Sequence, residues 1–307
     1  MPPDIAFITV NYNTLELVTQ GANFFSGLAA PFTFSFTVVD NNSQDGSQEF
    51  LQSRAEINYI QTGENLGYGC ALNRGIAATA SKYVCVMNTD VLVNRESLTM
   101  LWQFLEEHPE AGVDAPRLVY ADGRDQGMVF RASLFAHYAN WYAKALAWFA
   151  KRKIRSATHP VRVQGVLGAF FVVRRSLIEK TLFDEDFFFF HEDTALAHAL
   201  KDRGIPCFVL PGAKVIHIGG KSRSLASVKF FYESKYLYLR KFYSPFHARA
   251  VYFLDRFRML RKWFVYGLMS LVEDSEHTRS KKMHYRLAWE TVRFPGPLLH
   301  GESRSRH

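Results

Sequence analysis

The chain has 307 residues, a formal net charge of +8, and 48% hydrophobic, 15% aromatic and 21% charged residues. This length suits one large domain, or one domain with an extension, and the apolar fraction excludes a disordered or collagen-like chain. The three cysteines (Cys70, Cys85 and Cys207) cannot form a disulfide framework and favour a reducing, cytoplasmic compartment.

The first part of the chain alternates strand-like and helix-like segments. Short apolar runs that end in polar residues predict strands at 5–10, 34–40, 57–62 and 83–90. Segments with helical character lie between them, at 15–28, 47–54 and 67–79. This alternation predicts a parallel sheet that is covered on both faces. Ligands of such sheets bind outside the carboxyl ends of the strands, where the candidates are Asn11, Asn13, Asp40 to Ser43, and Asn88 to Asp90.

Two acidic residues stand at strand ends. Asp40 precedes turn-forming residues, which is also the pattern of an ordinary strand-to-helix turn. Asp90 is placed to hold a divalent cation against phosphates, because Mg²⁺ commonly uses one or two carboxylates together with substrate oxygens. The alternative is that Asp90 caps a predicted helix at 94–105.

Residues 65–75 (NLGYGCALNRG) contain two closely spaced glycines, Gly67 and Gly69. They do not form a dinucleotide-binding fingerprint, because Leu72 stands at the third glycine position and no acid follows at the expected distance. The segment instead predicts a loop whose backbone can approach a ligand, followed by a helix that brings Asn73 and Arg74 within reach of it.

The strongest local signal is an acid-rich segment at 182–204 that contains four successive phenylalanines, Phe187 to Phe190. A carboxylate held beside aromatic rings has a raised pKa, which suits a general base, and Glu192 and Asp193 follow the aromatic run. The alternative is that these acids cap a helix at 194–203. His217, at a strand end before a Gly-Gly turn, is a candidate for metal or phosphate contact, although such a histidine is more often structural.

The excess positive charge is concentrated in one segment. Residues 221–262 hold eleven Lys and Arg against two acids, with aromatic residues interleaved, and the apolar spacing predicts helices on both sides of Pro245. The segment is either a helical extension with solvated cations or an amphipathic surface that lies on an anionic bilayer. Nucleic acid is not favoured as a partner, because the segment shows no recognition motif. Residues 133–160, an aromatic helix followed by a basic cluster, predict an insertion.

Seven segments, in order, resemble the family 2 glycosyltransferases, in particular the bacterial rhamnosyltransferase-like branch. They span 5–222 and are ITVNYN, VVDNNSQDGS, NLGYGCALNRG, VMNTDV, GAFFVVRRS, FDEDFFFFHED and VIHIGGKS. The resemblance implies the GT-A fold of nucleotide-diphospho-sugar transferases, an α/β fold with a mostly parallel sheet flanked by helices. We therefore expect a catalytic domain at 1–222 with the helical insertion at 133–160. A helical, basic and aromatic C-terminal extension is expected at 223–307.

The resemblance also implies an inverting transferase and assigns roles by position. Asp90 would hold a divalent cation (Mg²⁺ or Mn²⁺) on the diphosphate, with His217 as a second metal residue, and Asp193, paired with Glu192, would deprotonate the acceptor hydroxyl. The residues expected to bind the nucleotide sugar are Asn11, Tyr12, Asn13, Asp40, Asn42, Asn65, Gly67, Asn73, Asn88 and Thr89, with Asn11 and Asp40 on the base and ribose. Two positions depart from the family pattern: Asn88 replaces the first acid of the D-x-D motif, and His191 stands where tyrosine is usual.

The implied reaction is sugar transfer from a nucleotide-diphosphate donor to a hydroxyl of a glycan or lipid-linked acceptor in cell-surface polysaccharide synthesis. dTDP-L-rhamnose is the first candidate donor; the alternatives are a UDP-hexose transferase of the same fold and a non-catalytic nucleotide-sugar-binding relative. No stretch has the ~18 uncharged apolar residues of a spanning helix. We therefore expect a cytoplasmic protein, peripheral on the inner face of the cytoplasmic membrane through residues 223–270, that truncation after about Ser222 would release. A homodimer through the same segment is the alternative.

Overall fold

The structure is a computed structural model that describes residues 1–126, 133–219, 225–272 and 275–294. Within these ranges the strands are β1 (Ile5–Asn11), β2 (Phe34–Asp40), β3 (Asn58–Gln61), β4 (Tyr83–Asn88), β5 (Val91–Leu92), β6 (Val113–Val119), β7 (Val161–Val163), β8 (Phe170–Arg174) and β9 (Cys207–His217). The α-helices there are α1 (Leu15–Ser26), α2 (Ser47–Gln52), α3 (Tyr68–Ala77), α4 (Arg95–Glu107), α5 (Leu134–Tyr138), α6 (Asn140–Ser156), α7 (Glu192–Asp202), α8 (Leu225–Phe242), α9 (Pro245–Val272) and α10 (Glu276–Thr291).

The strands of the described residues form one sheet with the order β3-β2-β1-β4-β8-β6-β9-β5, and β7 pairs with β9. β3, β2, β1 and β4 are parallel, as the sequence predicts. β8 runs antiparallel to β4 and β6, while β6 and β9 are parallel again. This arrangement brings the carboxyl ends of β1, β2 and β4 to one edge of the sheet, where most of the candidate site residues stand.

The first strands are buried because they carry apolar side chains on both faces. Ile5, Phe7 and Ile8 of β1 are almost fully buried, as are Val38 and Val39 of β2. Such uninterrupted apolar runs are typical of parallel strands covered by helices on both sides. The predicted strands and helices before residue 110 agree with the observed bounds to within two residues.

The chain divides into two compact units. The first unit contains the sheet and consists of the described residues within 1–126, 143–188 and 192–219. The second unit consists of 133–142, 189–191 and the described residues from 225 onward. The predicted insertion at 133–160 is therefore shared, because its first ten residues group with the C-terminal helices and the rest groups with the sheet.

The second unit is helical, as predicted. α8, α9 and α10 pack on one another, and α5 packs on α9. Pro245 is the first residue of α9, where the missing backbone N–H would have no partner in any case. Asp255 is buried between two cations, 2.6 Å from Lys235 Nζ and 3.1 Å from an Arg258 guanidinium nitrogen. In the described ranges, none of the helices combines the length and apolar character needed to cross a bilayer.

Candidate active site

The ends of β1 and β2 form a buried polar cluster. Asn11 and Asp40 are neighbours in the parallel register, and both are fully buried. The Asn11 side-chain amide donates to Asp40 Oδ1 at 2.8 Å and to Ser43 Oγ at 3.0 Å, while Asp40 Oδ2 accepts from the Ser43 backbone N–H at 3.0 Å. The Asp40 carboxylate is therefore fixed at the end of β2.

Two asparagines shape the loops around this cluster. Asn13 and Asn42 have left-handed backbones, with φ of 53° and 68°, a conformation that asparagine tolerates better than most residues. Asn13 Oδ1 accepts from the Gln44 N–H at 2.7 Å and so ties the two loops together. Tyr12, which directly precedes Asn13, leaves 49% of its surface exposed, so its ring is available for stacking on a base.

Thr89 joins the next strand end to the same cluster. Thr14 Oγ1 lies 2.7 Å from Asn11 Oδ1 and 3.2 Å from Thr89 Oγ1. No role for Thr14 was predicted from the sequence, because its contact with Thr89 depends on the pairing of β1 with β4.

The loop before α3 is held by asparagine side chains. Asn41 Nδ2 donates to Asn65 Oδ1 at 2.8 Å, and the Gly67 N–H donates to the same oxygen at 3.0 Å. Gly67 has φ of +82°, and a Cβ at this position would lie 2.2 Å from the carbonyl oxygen of Phe188. That carbonyl accepts the Tyr68 N–H at 2.9 Å, so glycine is required where the two loops meet.

The Asn73 side chain binds the 182–185 loop. Its Nδ2 donates to the Phe183 carbonyl at 2.8 Å and to Glu185 Oε1 at 3.0 Å, and its Oδ1 accepts from the N–H groups of Leu182 and Phe183. These four bonds use every hydrogen-bonding position of a side-chain amide. Asn73 therefore positions the 182–185 loop, and its contact with a nucleotide stays a prediction.

Tyr68, which the sequence analysis did not single out, lies at the centre of the site. Its hydroxyl is 2.6 Å from Asn88 Oδ1 and 3.1 Å from the Gly168 carbonyl oxygen. Burial raises the pKa of Tyr68 well above its ordinary value, and the negative charges of Glu192, Asp193 and Asp90 raise it further. Tyr68 therefore stays protonated at neutral pH.

Asp90 and His217 are brought together by strand pairing. Val91 of β5 is paired with His217 of β9, and His217 Nε2 lies 3.2 Å from Asp90 Oδ1. The other ring nitrogen, Nδ1, lies 2.7 Å from Oε1 of the buried Gln126, a residue that the sequence analysis missed. Gln126 thereby fixes the orientation of the ring, in the manner of an outer-shell partner of a metal-binding histidine.

The electrostatics of Asp90 favour an ionised carboxylate. Burial alone would raise its pKa, but the hydrogen bond and charge of His217, with the Gly219 N–H 3.1 Å from Oδ2, lower the pKa below its ordinary value. Asp90 does not cap α4, because Asn94 Oδ1 accepts the Ser97 N–H there at 2.9 Å. That alternative for Asp90 is wrong.

Glu192 and Asp193 form the first turn of α7, which begins two residues earlier than predicted. Asp193 is half-buried; its Oδ2 accepts the Gly168 N–H at 3.2 Å and its Oδ1 accepts the Thr194 N–H at 2.7 Å. Burial raises the pKa of Asp193, although these hydrogen bonds act in the opposite direction. A carboxylate held in one orientation, partly accessible and with a raised pKa, has the properties of a general base.

Glu192 differs from its neighbour because it is buried and its Oε2 has no hydrogen-bond partner among the described residues. Burial and, to a lesser extent, the charge of Asp193 raise its pKa to about 8. The raised pKa therefore favours the protonated form of Glu192 at neutral pH. The two residues before it, Phe190 and His191, have positive φ of 65° and 63°, a strained conformation that sets the start of α7.

A metal ion at this site would rely on few protein ligands. In the described part of the chain, no three His, Cys, Asp or Glu side chains come together as a metal site. Asp90 Oδ1 and His217 Nε2 lie 3.2 Å apart, and both would turn to a cation only if the hydrogen bond between them were given up, since a ligating nitrogen carries no proton. Mg²⁺ typically completes its shell with water and substrate phosphate oxygens. These two residues therefore fit a cation that arrives with a diphosphate.

Comparison with curated proteins finds relatives that transfer sugars. An N-acetylglucosaminyl-diphospho-decaprenol L-rhamnosyltransferase of Mycobacterium tuberculosis is 29% identical over 209 residues, which covers 62% of this chain and 68% of the relative. A low-salt glycan biosynthesis hexosyltransferase, Agl10, of Haloferax volcanii is 29% identical over 127 residues, 40% of this chain and 39% of the relative.

A solved structure of similar fold is the mannosyltransferase PcManGT of Pyrobaculum calidifontis in complex with GDP-Man and Mn²⁺. It covers 94% of this chain and 85% of its own, with a TM-score of 0.56 and 14% identity, which shows the fold alone. The predicted GT-A fold is confirmed. The family model described as "Glycosyl transferase family 2" matches residues 25–182, so Glu192, Asp193 and His217 lie beyond the matched range. The chain belongs to glycosyl transferase family 2.

Proposed function

We propose that this glycosyltransferase moves L-rhamnose from dTDP-L-rhamnose to a hydroxyl of a lipid-linked or glycan acceptor in cell-surface polysaccharide synthesis, with inversion at the sugar. One observation carries the proposal. The Tyr68 hydroxyl lies 2.6 Å from Asn88 Oδ1 and 3.1 Å from the Gly168 carbonyl oxygen, and the Gly168 N–H donates to Asp193 Oδ2 at 3.2 Å. These contacts bring the end of β4, which precedes Asp90, close to Asp193, so that a diphosphate site and a base for the acceptor would lie near each other.

The chemistry of an inverting transfer is a single displacement. The acceptor oxygen attacks the anomeric carbon opposite the diphosphate and the bond from that carbon to the phosphate oxygen breaks. The nucleoside diphosphate leaves with the electron pair. Asp193 takes the acceptor proton, for which its raised pKa and half-buried position suit it. A second carboxylate for a covalent intermediate is not required, which agrees with a protonated Glu192.

The donor side needs charge neutralisation as the diphosphate departs. Asp90 and His217 would hold a divalent cation, Mg²⁺ or Mn²⁺, which when bound neutralises the departing phosphate oxygens. Asn88 is engaged by Tyr68 through its oxygen, so we assign it a positioning role rather than that of a metal ligand.

Nucleotide binding is assigned to the ends of β1 and β2. The fixed carboxylate of Asp40 and amide of Asn11 suit a base and ribose, Tyr12 offers a ring for stacking, and the Gly67 loop lets the backbone approach the ligand. The loops around these groups are shaped, through the contacts described above, by Asn13, Asn42, Asn65 and Thr89.

The choice of rhamnose rests on the Mycobacterium tuberculosis relative, which is named for L-rhamnosyl transfer to a diphospho-decaprenol acceptor. A UDP-hexose transferase of the same fold is the alternative, since the Haloferax relative is named a hexosyltransferase. A non-catalytic relative is less favoured, because Asp90, Glu192 and Asp193 are all retained. The lipid carrier in the relative's name also supports a location on the inner face of the cytoplasmic membrane.

A panel of nucleotides tests the donor. The melting temperature is measured with dTDP, UDP and GDP, each with Mn²⁺, with Mg²⁺ and with neither. We expect dTDP with metal to give the largest rise, because a ligand that binds only the folded state stabilises it. A larger rise with UDP would favour the UDP-hexose alternative, and no rise with any nucleotide would contradict the proposal.

A further inference from the structure

An uninterrupted apolar stripe is exposed on α9. Its members recur every three or four residues and therefore lie on one face of the helix. They are Phe253, Phe257, Leu260, Phe264, Leu268 and Leu271, all of them exposed, with 68% exposure for Phe253 and 66% for Phe264. At 1.5 Å per residue the stripe is about 27 Å long. Large apolar side chains in such a continuous exposed row mark a surface that meets a partner.

A cavity of ≈ 420 Å³ opens beside this stripe, within the second unit. Three cations of α9 line it, Arg258, Arg261 and Lys262, together with the aromatic rings of Trp141 and Tyr285. A cavity with several cations and aromatic walls is suited to a phosphate group.

Of these three cations, Arg258 is paired with an acid, whereas Lys262 and Arg261 have no acid partner among the described residues. Arg258 donates to Asp255 Oδ1 at 3.1 Å and to the Tyr138 carbonyl oxygen, and Asp255 is also paired with Lys235. Lys262 Nζ donates to the Tyr285 hydroxyl at 3.0 Å, which fixes its position without cancelling its charge. Within the described ranges Arg261 has no hydrogen bond or ion pair. The single carboxylate of the cavity is thus already shared by two cations.

Arg261 connects the cavity with the edge of the stripe. Arg261 follows Phe257 by four residues and precedes Phe264 by three, so it lies next to both on the helix. Arg261 lines the cavity, and its neighbours Phe257 and Phe264 form part of the stripe. A ligand with a phosphate group and an apolar portion matches this arrangement.

We propose that the second unit binds an anionic phospholipid surface, with the α9 stripe in the bilayer interface and the Arg258–Arg261–Lys262 cavity on a lipid phosphate. A helix with an apolar face bordered by cations lies in the plane of a membrane interface in this way. The inference deepens, and rests on, the membrane location proposed for the transferase. Its test needs neither donor nor acceptor.

Charge favours a bilayer over a second copy of the chain. The described residues of 225–272 and 275–294 contain fourteen Lys and Arg against four Asp and Glu. A symmetric dimer through α9 would place this positive surface against itself, since a two-fold interface uses the same patch on both subunits. An anionic membrane supplies the opposite charge, at about 1 kcal/mol for each cation near the surface.

Flotation of the full chain with vesicles tests the inference. The vesicles contain phosphatidylcholine with phosphatidylglycerol, or phosphatidylcholine alone, at equal salt. We expect the chain to float with the anionic vesicles and not with the neutral ones. Arg261→Gln should lower the partition coefficient about fivefold, and adding Lys262→Gln should lower it about fivefold again. Phe257→Ser with Phe264→Ser should lower it at least about tenfold.

The matched control removes two exposed cations from the first unit, Lys180→Gln with Lys201→Gln, and should leave flotation unchanged. Melting curves with and without nucleotide confirm that each variant is folded and retains its donor site. Three results would overturn the inference: equal binding to neutral vesicles, wild-type flotation of the α9 variants, or an equal loss in the control. A dimer seen by light scattering and abolished by the Phe257/Phe264 variant would assign the stripe to a second copy instead.

Discussion

At the scale of single residues, Tyr68 links the two chemical ends of the site. Its hydroxyl lies between Asn88 and the Gly168 carbonyl, and it senses the charges of Asp90 and Asp193. Tyr68 cannot ionise at neutral pH, because burial and the nearby carboxylates raise its pKa. It is therefore a fixed hydrogen-bond donor, which keeps Asn88 oriented without competing for the acceptor proton.

Glu192 gives a stability prediction with a definite sign. Its pKa is raised to about 8 in the folded state, mainly by burial, so the unfolded chain releases this proton at lower pH than the folded chain. The contribution of Glu192 to stability is therefore lost as pH rises from 4.5 towards 8. Glu192→Gln, which is neutral and of similar shape, should gain about 1 kcal/mol or more over the wild type at pH 8 and little at pH 5. Urea unfolding at the two pH values measures the difference, and parallel pH profiles would show that Glu192 is not protonated in the fold.

At the scale of elements, the site depends on loops from distant parts of the chain. The Gly67 loop meets the Phe188 carbonyl just before α7, and Asn73 of α3 holds the 182–185 loop. Gly67 and Asn73, two residues of one short segment, thus position the loops that lead to the helix carrying Asp193.

Alanine variants of two glycines distinguish the cost of a left-handed backbone from the cost of a steric clash with a neighbouring loop. Gly63 and Gly67 have φ of +81° and +82°, but a Cβ at Gly63 meets nothing within 4 Å, whereas at Gly67 it would lie 2.2 Å from the Phe188 carbonyl oxygen. Gly63→Ala should cost about 1 kcal/mol for its backbone alone. Gly67→Ala should cost a further ~1–3 kcal/mol and lower transfer activity, because the 188–193 segment must move. Equal unfolding free energies and activities for the two variants would contradict this role of Gly67.

The β5–β9 pair gives a prediction about metal. Asp90→Asn removes the ionised oxygen while keeping the shape, so we expect it to abolish the gain in nucleotide affinity that Mn²⁺ gives. Calorimetric titration of dTDP with Mn²⁺ and with a chelator measures this gain. Asp122→Asn, which removes an exposed acid of the same unit, is the control and should behave as wild type. A variant at Asp90 that keeps the full gain would contradict metal binding there.

Much of the fold follows from local pattern, whereas parts of the site do not. Strand and helix positions before residue 110 and the helices around Pro245 are visible in apolar spacing, which depends on nearby residues only. The roles of Tyr68, Gly168 and Gln126 were not predicted, because their hydrogen-bond partners are 20 to 100 residues away in the chain and are brought near by the strand order. The role of Asn73 in holding the 182–185 loop is hidden for the same reason, since these partners are not evident from the sequence.

At the scale of the whole molecule, charge is divided along the chain. Residues 1–220 hold 19 basic and 22 acidic residues, while the remainder holds 18 and 7. A general positive field therefore does not attract the nucleotide to the sheet unit, and its site must rely on local groups. The cations are available for another partner.

This division predicts different salt responses for two activities of one chain. Raising NaCl from about 0.1 M to about 1 M shortens the screening length from about 10 Å to about 3 Å. Vesicle binding should fall steeply, because it depends on exposed cations, whereas metal-assisted dTDP binding should change little. Flotation and calorimetry over the same salt series test this, and vesicle binding that is insensitive to salt would contradict an electrostatic contribution.

The central assignment is Asp193 as the base that takes the proton of the acceptor hydroxyl. Transfer from dTDP-L-rhamnose to an N-acetylglucosaminyl-diphospho-lipid should be measured for the wild type and Asp193→Asn, alongside the affinity of each for dTDP with Mn²⁺. We predict that the variant binds dTDP as the wild type does but transfers rhamnose about a hundredfold to ten-thousandfold more slowly, because only the proton acceptor is lost. Transfer at the wild-type rate by a variant with wild-type dTDP affinity would contradict the assignment.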